Sequence, residues 1–381
     1  MKKGNFFVPL FVSAIILSGC IINTNQPEVD PTPSPTVGLP PLPTTGPSPT
    51  LQSSPSNPSL PTTSIQVTWA DLDLTGKLVY LSASQQDNNP VLAIQVLDLS
   101  SGEVTTVFQA PSLAWIYSAM VSPDNKQIVV GYSQPAAVQN LYVMPLDGSQ
   151  PPTLLFSSPT KGDEYLQPTW SQDGKYLYFV HVNYQIPPET PDQHYPIFEI
   201  YRMAYPDGPL EKLVDKAYWP RLSADSSHLV YVSENPNDGT NKLFIANADG
   251  SNPQEVVLTG SVIPSIIDAP IFSPDGGSIL FSAVTPVQSS APTWLERLMG
   301  VIVASAHSLP SDWWQVPITG GTPVQLTQIQ APGLYGSYSP DYQHLASFSG
   351  LGIFVMNPDG SGGAMLVNDV GGILGTVDWI P

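Results

Sequence analysis

The chain has 381 residues, with 31 Asp+Glu against 12 Lys+Arg for a net charge of −19. That balance repels phosphate backbones, so no nucleic-acid partner is expected, and the single cysteine excludes both an intrachain disulfide and a thiolate metal cluster. With 43 Pro and 29 Gly the chain is no helical bundle, and its Gly lacks the three-residue period of collagen.

Residues 1–20 read as an address. Lys2 and Lys3 form a basic start, residues 6–17 a short apolar run, and Leu17-Ser18-Gly19-Cys20 follows. The run is shorter than the ~20 apolar residues a spanning helix needs. The four-residue site resembles the lipobox of bacterial lipoproteins, which implies acylation of Cys20 and an anchor on the extracytoplasmic side of a membrane, in the periplasm or at the cell surface. Removal of the leader would also remove Lys2 and Lys3 and leave the chain more acidic.

Residues 21–63 read as a linker. Between 27 and 63 lie twelve Pro and thirteen Ser/Thr, with Glu28 and Asp30 as the only charges. No apolar period repays the entropy of ordering such a segment. Its proline content favours polyproline II, a semi-rigid spacer of ~3.1 Å per residue.

Residues 64–381 carry a repeat of about fifty residues, the scale at which propellers and solenoids announce themselves. Ser122-Pro123-Asp124, Ser171-Gln172-Asp173, Ser223-Ala224-Asp225, Ser273-Pro274-Asp275 and Ser339-Pro340-Asp341 recur at spacings of 49, 52, 50 and 66. An alternating apolar run follows each, such as QIVVGYS from Gln127 and SILFSAV from Ser278, and Asp73-Leu74-Thr75-Gly76-Lys77 with LVYLSAS is a degenerate sixth copy. Downstream of each lies a second strand ending in Asp-Gly, Ser-Gly or Gly-Gly at Gly102, Gly148, Gly208, Gly250, Gly321 and Gly360. Such dipeptides supply the positive φ of tight hairpins. A further short apolar strand follows most of them. Six units of four strands predict an all-β fold, a six-bladed β-propeller that protects its edges by radial repetition. The final residues, Gly375 to Pro381, look like an inner strand without a unit of its own. They are expected to complete the first blade and close the ring.

Gln167-Pro168-Thr169-Trp170-Ser171-Gln172-Asp173-Gly174-Lys175, together with Pro270-Ile271-Phe272-Ser273-Pro274-Asp275-Gly276 and the Leu326-Thr327 ending, is similar to the propeller repeats of the TolB family and its wider WD-like relatives. The likeness covers residues 64–381 and bears on the fold. TolB has an additional N-terminal α/β domain where this chain has its leader and linker, so the family's role in its envelope complex does not carry over.

In such a blade the S-P-D turn and the later D-G turn share one rim. The connection between second and third strands shares the other rim with the blade-to-blade links. Both long insertions, 183–197 and 285–312, belong to that second rim, where ligand contacts are expected. Trp115, Tyr117, Tyr165, Tyr218, Trp219 and Tyr335 precede inner strands near the channel mouth. Blade-to-blade packing and ligand stacking both fit these rings. Within the longer insertion, residues 292–306 read as an amphipathic helix presenting Leu295, Leu298, Met299 and Ile302 on one face, with Trp294 beside it. It would dock a partner, touch a membrane or pack on its own propeller.

No chemistry announces itself. No G-x-S-x-G elbow is present, and the histidines at 181, 194, 228, 307 and 344 never pair at ligand spacing. Neither metal nor cofactor is therefore expected, and the repeated turn aspartates should bond their own backbones. The favoured reading is a monomeric, lipid-anchored envelope module that binds a protein or glycan through Trp115, Tyr165, Trp219, Arg221, Asp268 and Tyr335. The rival is a polysaccharide-degrading enzyme at the channel mouth, for which Glu164, Arg221 and Asp268 are the candidate groups.

Overall fold

The structure is a computed structural model, and it describes residues 72–86, 89–156, 158, 162–184, 197–234, 241–284, 309–368, 370 and 375–381. Within them lie 24 strands and no helix. The leader, the linker and residues 285–308 fall outside the described residues.

Six antiparallel four-stranded sheets form six blades, each counted from the axis outward. Blade 1 contains β1 (Lys77–Gln86), β2 (Asn89–Asp98) and β3 (Val104–Gln109). Blade 2 contains β4 (Trp115–Val121), β5 (Gln127–Ser133), β6 (Asn140–Pro145) and β7 (Thr153–Leu154). Blade 3 is β8 (Glu164–Trp170), β9 (Tyr176–Asn183), β10 (Ile197–Ala204) and β11 (Leu210–Asp215). Blade 4 is β12 (Ala217–Leu222), β13 (His228–Glu234), β14 (Asn241–Asn247) and β15 (Gln254–Glu255). In blade 5 follow β16 (Ser265–Phe272), β17 (Ser278–Val284), β18 (Asp312–Pro317) and β19 (Val324–Gln325). Blade 6 holds β20 (Tyr335–Tyr338), β21 (Leu345–Ser349), β22 (Gly352–Met356) and β23 (Ala364–Asn368). The last strand, β24 (Val377–Ile380), returns to the innermost place of blade 1 and pairs with β1 from Lys77↔Ile380 to Tyr80↔Val377. The six blades and the closing strand match the sequence reading.

Burial explains the apolar runs. The second strand of each blade has a neighbouring blade over both faces, so β5 and β21 are buried almost throughout. Strands covered on both faces need continuous apolar runs rather than alternation. Outer strands meet water: β3 is mostly exposed, and β11 and β23 contain no buried residue. Three outer strands are shorter than the apolar runs suggested, since β7, β15 and β19 keep only two paired residues each. An edge that short offers little template for pairing with another chain.

Apolar clusters seal each pair of successive blades. Val79 and Ile94 meet Ile128 and Met144, and Val129 and Leu141 meet Leu177 and Phe179. Val180 and Ile200 meet Leu229 and Tyr231, Val230 and Leu243 meet Phe281 and Trp314, and Leu280 and Trp313 meet Leu345 and Met356. Phe348 and Ile353 meet Leu78 and Leu97, which closes the circle.

The repeated turn has one construction in five blades. The Ser273 hydroxyl donates to Asp275 Oδ1 at 2.6 Å and accepts the Ser278 N–H at 2.9 Å, while Asp275 Oδ1 also accepts the Gly277 N–H. The same bonds recur at Ser122/Asp124, Ser171/Asp173, Ser223/Asp225 and Ser339/Asp341. The residue three after each Ser sits at positive φ. Two blades place Gly174 and Gly276 there, and three place Asn125, Ser226 and Tyr342.

Candidate functional site

The inner strands share a local irregularity that sets the axial geometry. Bulges interrupt the pairing at Ile116/Ser118, Leu166/Thr169, Tyr218/Arg221 and Asp268/Ile271. In three of them a positive-φ residue precedes proline: Gln167 (φ 52), Trp219 (φ 57) and Ala269 (φ 46). Proline has no N–H to contribute to a ladder, so it fits where the ladder is already broken. A bulge also re-aims its side chains, and here it turns Trp219 and Arg221 into one axial cluster.

The aromatics stand within the first residues of the inner strands rather than ahead of them. The Trp219 backbone N–H donates to Gln167 Oε1 of blade 3 at 2.7 Å, and its indole N–H donates to buried Asp268 of blade 5 at 3.2 Å. Its ring lies 6.2 Å from that of Tyr335 in blade 6. The guanidinium of Arg221 sits 4.3 Å above the Tyr335 ring, and one of its N–H groups reaches Met120 Sδ of blade 2 at 3.8 Å. The Tyr335 hydroxyl donates to the same sulfur at 3.1 Å. Blades 2, 4 and 6 are therefore linked on the inner side of the ring through Met120, Arg221, Trp219 and Tyr335.

Asp378 of β24 faces this cluster from blade 1. Its carboxylate accepts the Val121 N–H at 2.8 Å and the Ser337 hydroxyl at 3.4 Å. Burial pushes its carboxyl up to about 6, against the pull of the Val121 N–H and of the Arg221 charge. Burial likewise lowers Arg221 to about 10, with Asp378 opposing it. Both side chains lie deep in the ring yet keep part of their surface accessible. A group can be both only where it lines a channel. Met120, Thr169, Arg221, Ile271, Ser337 and Asp378 occupy the same register place in their strands, opposite Val129, Tyr178, Val230, Leu280, Ala346 and Val79. One residue per blade thus forms an axial girdle, and only Arg221 and Asp378 of the six are ionisable.

No protein-family model and no curated protein matches the chain. Solved structures do. TolB from Acinetobacter baumannii matches at a TM-score of 0.54 with 18% identity, over 80% of this chain and 67% of that one. A putative TolB from Agrobacterium tumefaciens matches at 0.52 with 15% identity, over 81% of this chain and 99% of that one. A chain of a nidogen–laminin complex matches at 0.50 with 10% identity, over 79% and 97%.

The fold is a TolB-like β-propeller. At these identities the likeness concerns fold, and the site of this TolB-like propeller is read from its own residues.

The remaining predicted residues fall in different places. Tyr165 is buried, its ring stacked 5.2 Å from His181 and edge-on to Phe156. Trp115 opens β4 half-buried and pairs with Ser133. Glu164 accepts the Tyr184 hydroxyl at 3.0 Å, and burial raises its carboxyl while that hydroxyl opposes. The three groups named for catalysis bond three different partner sets, with Glu164 on Tyr184, Asp268 on Trp219 and Arg221 on Tyr335 and Met120. Trp294, Leu298, Met299, Ile302, His194, His307 and Cys20 lie outside the described residues.

One cluster escaped the sequence reading. His181 Nε2 is 2.8 Å from Asp163 and Nδ1 2.9 Å from Glu199, all three buried. Glu199 also holds Lys212 at 3.2 Å, which bonds Asp215 at 2.7 Å. The signal lay in register. Asp163 and Glu199 each stand 18 residues from His181, Asp163 immediately before β8 and Glu199 on β10, the two strands that flank β9. Such symmetry is visible only once the hairpins are paired.

Proposed function

We propose that the chain is a lipid-anchored, extracytoplasmic binding module, held by an acylated Cys20 and a linker of residues 21–63, that receives a protein partner on its insertion-bearing rim. One observation carries the reading. The exposed large apolar residues Leu113, Val138, Tyr184, Val262, Ile263 and Leu351 all lie in the connections of that rim, from which both insertions also leave. On the opposite rim the exposed large apolar side chains are Tyr176, Ile318 and Tyr342, with Val104 and Val324 opening outer strands beside its turns. Aliphatic side chains gathered on one face suit a protein surface, whereas a glycan site would favour flat aromatic rings. Among the described residues no helix is long and apolar enough to cross a membrane.

Two measurements test it. Cys20→Ala should move the protein from the membrane fraction to the soluble fraction and abolish labelling by a radioactive or clickable fatty acid. Unchanged membrane association would refute the anchor. Leu113→Asp combined with Ile263→Asp and Leu351→Asp should abolish recovery of the partner from envelope extract at an unchanged melting temperature. Undiminished recovery would refute the rim.

A further inference from the structure

We infer that the axial channel takes a carboxylate at Arg221, presented by a ligand that arrives through the insertion-bearing rim. The inference deepens the rim-binding reading and rests on it for the direction of approach. Within β12 the order Trp219, Pro220, Arg221 runs from that rim toward the S-P-D turns, so the guanidinium lies beyond the Trp219 and Tyr335 rings.

The donor count carries the argument. A guanidinium has five N–H donors in a planar fork that matches a carboxylate. Among the described residues Arg221 gives one to a methionine sulfur at 3.8 Å and places its face over Tyr335. It forms no ion pair, whereas Arg202, Lys175, Lys212 and Lys242 each do so with a carboxylate. Asp378 is near enough to feel its charge, yet it forms no direct ion pair with Arg221 and its oxygens accept the Val121 N–H and the Ser337 hydroxyl. A deep cation with most of its fork open is costly to keep unless something uses it.

The surroundings choose the anion. Asp378, together with Asp268 behind Trp219, makes the channel unfavourable for a doubly charged phosphate or sulfate. A monoanion with a planar, bidentate head fits the fork. The half-buried Trp219 ring, 6.2 Å from buried Tyr335, offers an apolar edge to whatever bears it. The carboxylate comes either from a free small acid or from the end of a peptide chain, and the chemistry at Arg221 is the same.

The test is titration calorimetry on the mature full-length protein with sodium acetate, tri-alanine, tri-alanine amide and inorganic phosphate. Acetate or tri-alanine should bind, with the amide and phosphate at least about tenfold weaker. Binding of acetate alone would assign the site to small acids, and binding of tri-alanine alone or more tightly would assign it to a chain terminus. Arg221→Met, which keeps the bulk and drops the charge, should lose about tenfold or more, and Arg221→Lys should recover part of it. If Arg221→Met does not fold, Asp378→Asn serves instead and should tighten carboxylate binding by removing the competing charge. No heat with either acid, equal binding of amide and acid, binding undiminished in Arg221→Met, or no tightening in Asp378→Asn would each overturn the inference. Partner recovery in the Arg221→Met variant separates the two readings. Recovery kept while carboxylate binding fails removes this inference alone, and loss of recovery in the rim variants removes the reading beneath it.

Discussion

The Ser hydroxyl of each S-x-D turn is a hub, because it donates to the Asp carboxylate and accepts an N–H five residues on. Ser273→Ala would leave the Ser278 N–H without its partner, at a cost of ~1–2 kcal/mol, seen as a lowered urea midpoint. Tyr342, exposed at φ 60, holds a left-handed backbone that its side chain resists. Tyr342→Gly should therefore raise stability by up to ~1 kcal/mol, after the entropy that glycine loses on folding. These same turns set an acid limit. The Lys175 ammonium and the Ser171 hydroxyl hold the Asp173 carboxyl down at about 2, and Ser223 with the Ser227 N–H does the same for Asp225. Their folded values lie below the unfolded one of ~3.9, so their support is complete above that value and is lost as pH falls toward 2. Asp378 has the opposite sign. Its carboxyl binds a proton more tightly in the fold, at about 6, so stability falls as pH rises from ~4 to about 6. Melting temperature against pH should show both limbs, and Asp378→Asn should flatten the upper one while leaving the acid one.

At the scale of elements the closing strand decides most. β24 is held to β1 by four paired residues and to blade 2 by Thr376, whose hydroxyl bonds the Ala119 N–H at 2.9 Å, and by Asp378. The Trp379 indole N–H donates to the Thr75 carbonyl at 2.9 Å. Gly76 has no room for a Cβ, which would meet the Ile380 carbonyl, and its φ of 86 suits glycine alone. Removing residues 375–381 should broaden the thermal transition and lower its midpoint, because blade 1 loses its inner strand and blade 2 loses the acceptors of its Ala119 and Val121 N–H groups. An unchanged, sharp transition would mean that the ring closes elsewhere. The closing strand and the six hairpin pairs were readable beforehand, since their turns carry fixed dipeptides and their strands fixed periods. The turn aspartates were readable for the same reason, being local. The axial cluster was not. Arg221, Met120 and Tyr335 come from three blades, 101 residues or more apart along the chain, and only a bulge turns the Arg inward. His181 looked like an ordinary strand residue because its carboxylate partners are defined by pairing rather than by adjacency.

At the scale of the molecule, one rim is built from repeated self-satisfied turns, and the other carries both long insertions and the larger share of exposed aliphatic side chains. A propeller has no need of that asymmetry for stability, since its cores lie between blades. The acidity of the chain sets no partner by itself, but it makes a lone channel arginine conspicuous. The most direct test is recovery of the partner by three forms of the mature protein: unaltered, Leu113→Asp with Ile263→Asp and Leu351→Asp, and Ile318→Asp with Tyr342→Asp on the opposite rim. Loss confined to the first variant, with both variants melting as the unaltered protein does, is the expected result. Equal recovery by all three, or loss confined to the opposite-rim variant, would contradict it.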